Sequence, residues 1–194
     1  MELRFGQSAA GRVVGGRELR AAVFNENEVR AAAGVTLVIA AVALSFAAFE
    51  RQYLPLRIAS AFLLVEFALR TTLGIRYSPA GILARQLTRG QAPEWVSAKP
   101  KRFAWTIGGA LASAMIVMTN VGVRGTLPMT MCVICMTLMW MECALGLCLG
   151  CKLYAWLVRH GYKSRDAEIE LCAGGVCALP TPAADPDTAP VRVN

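Results

Sequence analysis

Apolar runs of about twenty residues, separated by short charged stretches, constrain this chain more than any other feature. About 20 apolar residues in a helix cross the ~30 Å hydrocarbon core of a bilayer. A chain that enters hydrocarbon must satisfy its backbone N–H and C=O groups internally, which leaves helices as the answer to runs of this length. Four runs meet the requirement, at about 31–49, 54–74, 104–123 and 127–158. The predicted fold is therefore all-α, an integral membrane four-helix bundle spanning 31–158. A cytoplasmic segment, 1–30, is expected before it, and a cytoplasmic tail, 159–194, after it, the tail being expected to be disordered beyond about Leu179. The fourth run exceeds the bilayer thickness, so it must tilt, bend or emerge at the interface.

Charge supports this reading. Only 17% of the 194 residues are charged, against roughly 25% in soluble domains. The net charge of +7 comes without aromatic–basic interleaving or a nucleic-acid motif, and asymmetry between loops accounts for it. The segment from Arg70 to Arg102 holds Arg70, Arg76, Arg85, Arg89, Lys99, Lys101 and Arg102 against the single acid Glu94. The stretch from Lys152 onward holds Lys152, Arg159, Lys163 and Arg165, whereas the first loop and its flank offer Arg51 and Arg57 and the third loop only Arg124. Lys and Arg are retained on the cytoplasmic side, so both termini are expected there. Residues 1–22 hold no apolar core fit for a cleavable signal, and the first membrane helix is expected to act as its own targeting signal.

Flanking motifs place the ends of elements. Asn25 is expected to cap a helix, with Glu28 three residues on completing a capping box. Ser78-Pro79 reads as a helix stop, because proline disfavours a helical residue before it. A short basic interfacial helix is expected over 80–89.

All seven cysteines lie in the last third of the chain. Cys132/Cys135 and Cys148/Cys151 are both C-x-x-C pairs, Cys143 lies between them, and Cys172 and Cys177 form a wider pair in the tail. Residues three apart on a helix can approach a disulfide or hold a soft metal as two thiolates. On one continuous helix, Cys132 and Cys148 would stand roughly 24 Å apart, one pair near each membrane face. Cys132 and Cys135, soon after Pro128, would gain from the helix dipole. Cys148 and Cys151, towards a helix end, would need cations, for which Lys152 and Arg70 are candidates, and Gly146 and Gly150 could interrupt the helix and free backbone groups around the pair. Cys143 reads as a small apolar filler. Glu66 and Arg70 share a helix face and can pair. Glu142 is expected at a depth of roughly 15 Å, where an ionisable group faces the bundle interior. Arg70 could bridge Glu66 and Glu142, as a structural lock or as part of a proton relay. His160 reads as a solvated residue outside the membrane.

Phe24-Asn25-Glu26-Asn27-Glu28-Val29-Arg30, Arg76-Tyr77-Ser78-Pro79, Lys101-Arg102-Phe103-Ala104 and Gly146-Leu147-Cys148-Leu149-Gly150-Cys151-Lys152-Leu153-Tyr154 occur in that order. Together they resemble the domain-of-unknown-function family 4395, small bacterial membrane proteins, over about residues 24–158. The resemblance implies a shared C-x-G-C motif on Cys148, Gly150 and Cys151, with Glu142 in the preceding acidic position. It also implies thiol or sulfane-sulfur chemistry beside thioredoxin-like or sulfurtransferase proteins. Cys132, Cys135, Cys172 and Cys177 stand outside the pattern.

The leading expectation is a membrane protein of thiol-disulfide or sulfane-sulfur handling. Cys148 or Cys151 would be the nucleophile, Arg70 would favour the thiolate, and Glu142 would move the proton. Cys132 and Cys135 would form an outer pair. A second reading is a soft-metal carrier using Cys148, Cys151, Cys172 and Cys177, similar to mercury-transport proteins in its paired cysteines. A third is a non-catalytic anchor whose basic loop binds a partner or anionic lipid. No Walker motif, metalloprotease helix or nucleophile elbow occurs, which argues against an ATPase or hydrolase. The cofactor stays unassigned.

Overall fold

A computed structural model describes residues 22–163 together with Val13–Val14 and Arg17–Glu18. The expected tail disorder, and Cys172 and Cys177, lie outside the described residues.

Three helices are long and apolar enough to cross a membrane: α1 (Glu26–Phe49), α4 (Ala98–Asn120) and α5 (Thr126–Leu145). This corrects the expected count of four. The second run forms α2 (Leu54–Thr72), but Arg57, Glu66 and Arg70 are spread along its 19 residues, whereas the charges of α1 and α4 gather near their starts. It nevertheless runs the length of the bundle. At one end Arg57 hydrogen-bonds Asn120 at the end of α4. At the other, Arg70 reaches the Ala32 carbonyl of α1.

Two further helices complete the described chain, α3 (Pro79–Leu87) and α6 (Leu149–Arg159). Ser78 has extended backbone and accepts from Gly81 N–H at 3.1 Å. Pro79 is thus less a stop than the first residue of α3, where its missing N–H has no helical partner to lose. Asn25 caps α1 as its side chain implies, although its Oδ1 accepts from Asn27 N–H at 3.2 Å rather than from residue 28. The same oxygen accepts from Glu94 N–H, also at 3.2 Å. Here the chain is not purely helical. β3 (Val23–Asn25) pairs antiparallel with β4 (Trp95–Ser97), with Phe24 opposite Val96, and β1 (Val13–Val14) pairs with β2 (Arg17–Glu18). The β3–β4 ladder ties the start of α1 to the start of α4. The start of α6 lies at the same end, since Gly150 closely approaches Ala104 of α4.

Alanines fill the seams between helices. Ala32, Ala33, Ala40, Ala43 and Ala47 are the buried stripe of α1, and small side chains let membrane helices approach closely. The large apolar residues Val38, Val42, Phe46, Ile58, Val65, Val117, Val133 and Trp140 are exposed instead. In water that pattern would be an aggregation hazard; on membrane helices it is the lipid-facing surface.

The helix expected over 127–158 is broken. α5 ends at Leu145, and Gly146 takes a left-handed conformation with φ +66°, a region that suits glycine. The N–H of Leu147 returns to the Met141 carbonyl at 3.0 Å. Arg30 finishes this terminus: its guanidinium donates to the Cys143 carbonyl at 3.1 and 3.2 Å and to the Ala144 carbonyl at 3.3 Å. The chain then restarts as α6 at Cys148.

Candidate functional site: a dithiol at a helix start

The break moves Cys148 and Cys151 from the end of one helix to the beginning of another. Cys148 is the N-cap of α6, and its Sγ accepts from the Cys151 backbone N–H at 3.3 Å. First-turn N–H groups of a helix have no helical partner and carry partial positive charge. The dipole therefore points towards Cys148, the reverse of the expectation for a single long helix. The side-chain hydrogen bond with Cys148, together with burial, pushes the Cys151 thiol up from its ordinary pKa. The two sulfurs are thus inequivalent: Cys148 sits where negative charge is favoured, and Cys151 is held protonated beside it.

Lys101 brings a buried positive charge to the dithiol. Lys101 lies in the first turn of α4, only 1% exposed. Its Nζ lies 2.9–3.0 Å from the Glu26 carboxylate and 3.0 Å from Glu142 Oε1. Its charge also acts on both Cys148 and Cys151. Lys152 is exposed. Arg70 is committed to Glu66, with Nε 2.7 Å and Nη2 2.6 Å from Oε1. The other Glu66 oxygen accepts from Ala80 N–H at 3.2 Å. Arg70 therefore hydrogen-bonds Glu66 but not Glu142. Glu142 is three residues from the end of α5 rather than deep in the bundle, and this lets it reach the first turn of α4.

Close backbone approach seats α6. A Cβ on Gly150 would stand 2.5 Å from Ala104 Cβ and 2.8 Å from its Cα, so only glycine brings α6 this near α4. Tyr154, one turn on, packs against Phe103 with ring centroids 5.6 Å apart.

Cys148 and Cys151 are 4% and 3% exposed, but Cys148 lines a cavity of about 260 Å³ inside the bundle. The cavity is bounded by α1, α2, α4, α5 and the start of α6, and Cys132, Cys135, Arg70 and Glu142 also line it. Cys132, Cys135 and Cys148 thus meet one internal space, although the two pairs lie on separate helices. Cys132 and Cys135 come six and nine residues after Thr126, the first residue of α5. That is beyond the first turn, where a helix terminus acts, so the expected dipole assistance is lost. Both are free thiols. Cys143 Sγ packs on α1, 3.0 Å from where a Cβ on Gly34 would sit, in keeping with a filler. His160 is exposed at the end of α6, its Nδ1 2.9 Å from the Trp156 carbonyl. Among the described residues no three His, Cys, Asp or Glu side chains come together as a metal site.

Glu26 and Lys101 are the participants that sequence reasoning did not assign to the site. Both lay in the quoted motifs, Glu26 as a helix-start acid and Lys101 as a loop cation. Three apolar membrane-crossing helices, ion pairs sealed at one end and outward-facing aliphatic side chains define a multi-pass membrane protein. Residues 24–159 match the family described as domain of unknown function DUF4395, and the chain belongs to that family. No curated protein and no solved structure matches it.

Proposed function

We propose that this protein is a thiol-disulfide or sulfane-sulfur handling protein of the bacterial inner membrane, with the Cys148/Cys151 end of the bundle at the cytoplasm. The observation that carries the reading is the placement of Cys148 at the helix N-cap, its sulfur accepting the Cys151 N–H at 3.3 Å. A helix N-terminus and a nearby cation are the two environments that turn a cysteine into a nucleophile, and the site has both. The orientation rests on charge. Arg76, Arg85, Arg89, Lys99, Lys101, Arg102, Lys152 and Arg159 lie at the dithiol end, whereas Arg51, Arg57 and Arg124 lie at the other. Basic residues stay in the cytoplasm.

In this reading the Cys148 thiolate attacks a sulfur of a partner's disulfide or persulfide, and the partner's thiolate leaves. Cys151 then attacks Cys148 Sγ, forming the internal disulfide and releasing the second group as thiol or hydrosulfide. Lys101 favours the thiolate, and Glu142, hydrogen-bonded to Lys101, takes up the proton. A thioredoxin-like or sulfurtransferase protein in the cytoplasm is the proposed partner. The short Gly146–Leu147 link gives α6 a hinge on which the pair can open towards it.

The test is mass-tagged maleimide labelling of the full chain in native membranes, with and without prior reduction, in wild type, Cys148→Ser and Cys151→Ser. The expected result is a reversible internal disulfide absent from both variants, with a persulfide or mixed disulfide on Cys148 that persists in Cys151→Ser but not in Cys148→Ser. A pair that stays reduced under every oxidant overturns the reading. The soft-metal alternative then becomes testable by metal loading with and without Cys172 and Cys177, and the anchor alternative by charge reversal in the basic loop.

A further inference from the structure

We infer that the internal cavity is the binding site for a lipid-soluble quinone, which takes two electrons from the Cys148/Cys151 dithiol. The inference rests on the dithiol reading above and supplies its electron acceptor.

Three observations converge on it. The first is access. The pair is almost closed to water, yet Cys148 lines the cavity. The cavity is partly open to the outside of the bundle, so a small molecule can reach Cys148 through it. The second is the lining. Leu63, Leu111, Met115 and Met139 make its long walls apolar, while Arg70, Glu142 and Cys148 belong to the end where α1 and α4 begin. The occupant that fits has an apolar body and one polar head. The third is Trp105. It lines the same cavity, is 2% exposed, and its indole Nε1 has no hydrogen-bond partner in the protein. An indole N–H only donates, and a buried polar group normally finds a partner. An occupant whose head presents an acceptor oxygen would supply that partner.

A quinone joins these requirements: carbonyl oxygens on an apolar ring, an apolar tail, and two-electron chemistry matched to a dithiol. The step balances. An S–S bond forms between Cys148 and Cys151 as both thiols lose their protons. Two electrons and two protons convert the quinone to its hydroquinone.

The experiment uses the reduced full-length protein in lipid nanodiscs, without oxygen, and a decyl-substituted benzoquinone. Hydroquinone is followed by absorbance and the disulfide by maleimide mass tags. One hydroquinone per disulfide is expected. Ala112→Phe, which fills the middle of the cavity away from the thiols, should raise the KM for quinone by about tenfold or more. It should leave oxidation by water-soluble diamide unchanged. Trp105→Phe should raise KM roughly three- to tenfold at constant kcat, the effect of one lost hydrogen bond. Cys143→Ser should behave as wild type. If Ala112→Phe does not accumulate, an azidoquinone should crosslink wild type within α4 or α5, and labelling confined elsewhere overturns the inference. If diamide forms the disulfide and quinone does not, the cavity holds only lipid acyl chain: the inference falls while the dithiol reading stands. If neither oxidant forms it, both fall.

Discussion

Lys101 Nζ and Glu142 Oε1 lie 3.0 Å apart, and this contact joins the first turn of α4 to the last turn of α5 beside the dithiol. With Glu26 on the other side of the ammonium, one cation serves two acids from different helices. Replacing Lys101 by Met leaves both carboxylates without it. Removing one partner of a buried ion pair costs about 3–5 kcal/mol, which in a chain of this size lowers the melting temperature by about 10 °C. Thermal unfolding in detergent is the check. Lys101→Arg, which keeps the charge, should recover part of the loss, and an unchanged melting temperature for Lys101→Met would show that the triad is not structural.

The inequivalence of the two sulfurs has a pH signature. The side-chain hydrogen bond with Cys148 and burial both raise the Cys151 pKa in the folded protein. Below about pH 8.5, the unfolded thiol value, Cys151 is protonated in both states and its full contribution to stability is present. Above that pH the unfolded chain ionises first, so stability falls as pH rises. Melting temperatures between pH 7 and 10 should decline less steeply in Cys151→Ser than in wild type. In wild type at neutral pH, a small alkylating reagent should modify Cys148 well before Cys151, read by mass spectrometry of the two peptides. Equal rates at neutral pH would contradict the assignment.

Gly150 and Ala104 offer a steric test of how α6 is held. Gly150→Ala places a methyl group 2.5 Å from Ala104 Cβ, so α6 must move off α4. Overpacking of this kind costs about 1–3 kcal/mol. We expect faster maleimide labelling of Cys148 as the helix lifts. Adding Ala104→Gly removes the opposing Cβ and should restore much of the protection, leaving a remainder from the 2.8 Å approach to the Ala104 backbone. Labelling that is faster in the single variant and returns in the double would locate the effect at this contact rather than in general unfolding.

The apolar runs made a helical membrane protein legible, because helix length and hydropathy are local properties. Asn25 and Ser78 were legible as boundaries for the same reason: a cap or an X-Pro step acts within a few residues. The break at Gly146 was legible only as a possibility, because hydropathy continues through it and a glycine in a membrane helix serves packing as readily as termination. The polarity at Cys148 followed from which of the two Gly146 served: the pair stands at the start of α6 and not at the end of one long helix. Lys101 could not be recognised as the site cation because its partners, Glu26 and Glu142, lie 75 and 41 residues away. In sequence it looks like one more basic residue of a loop. The Glu66–Arg70 pair, by contrast, is an i,i+4 contact and was visible directly. Its isolation from Glu142 depended on Lys101 taking that partner.

That pair decides whether Arg70 belongs to the chemistry or only to the scaffold. Arg70 and Glu66 are 2% and 0% exposed and make two close contacts. They tie α2 to the Ala80 N–H of α3 and to the Ala32 carbonyl of α1. Arg70→Met strands a buried carboxylate and Glu66→Leu strands a buried guanidinium. Each should destabilise by about 3–5 kcal/mol, whereas the double replacement should lose far less than the sum, since two apolar groups of similar volume remove the charge together. Melting temperatures of the three variants give the coupling. The same samples separate structure from reactivity, because Arg70 also lines the cavity that Cys148 faces. If Arg70 is a scaffold residue, the Glu66→Leu/Arg70→Met protein should form the Cys148–Cys151 disulfide with diamide at the wild-type rate. A double variant that melts like wild type but oxidises tenfold or more slowly would instead place the Arg70 charge in the reaction, alongside that of Lys101.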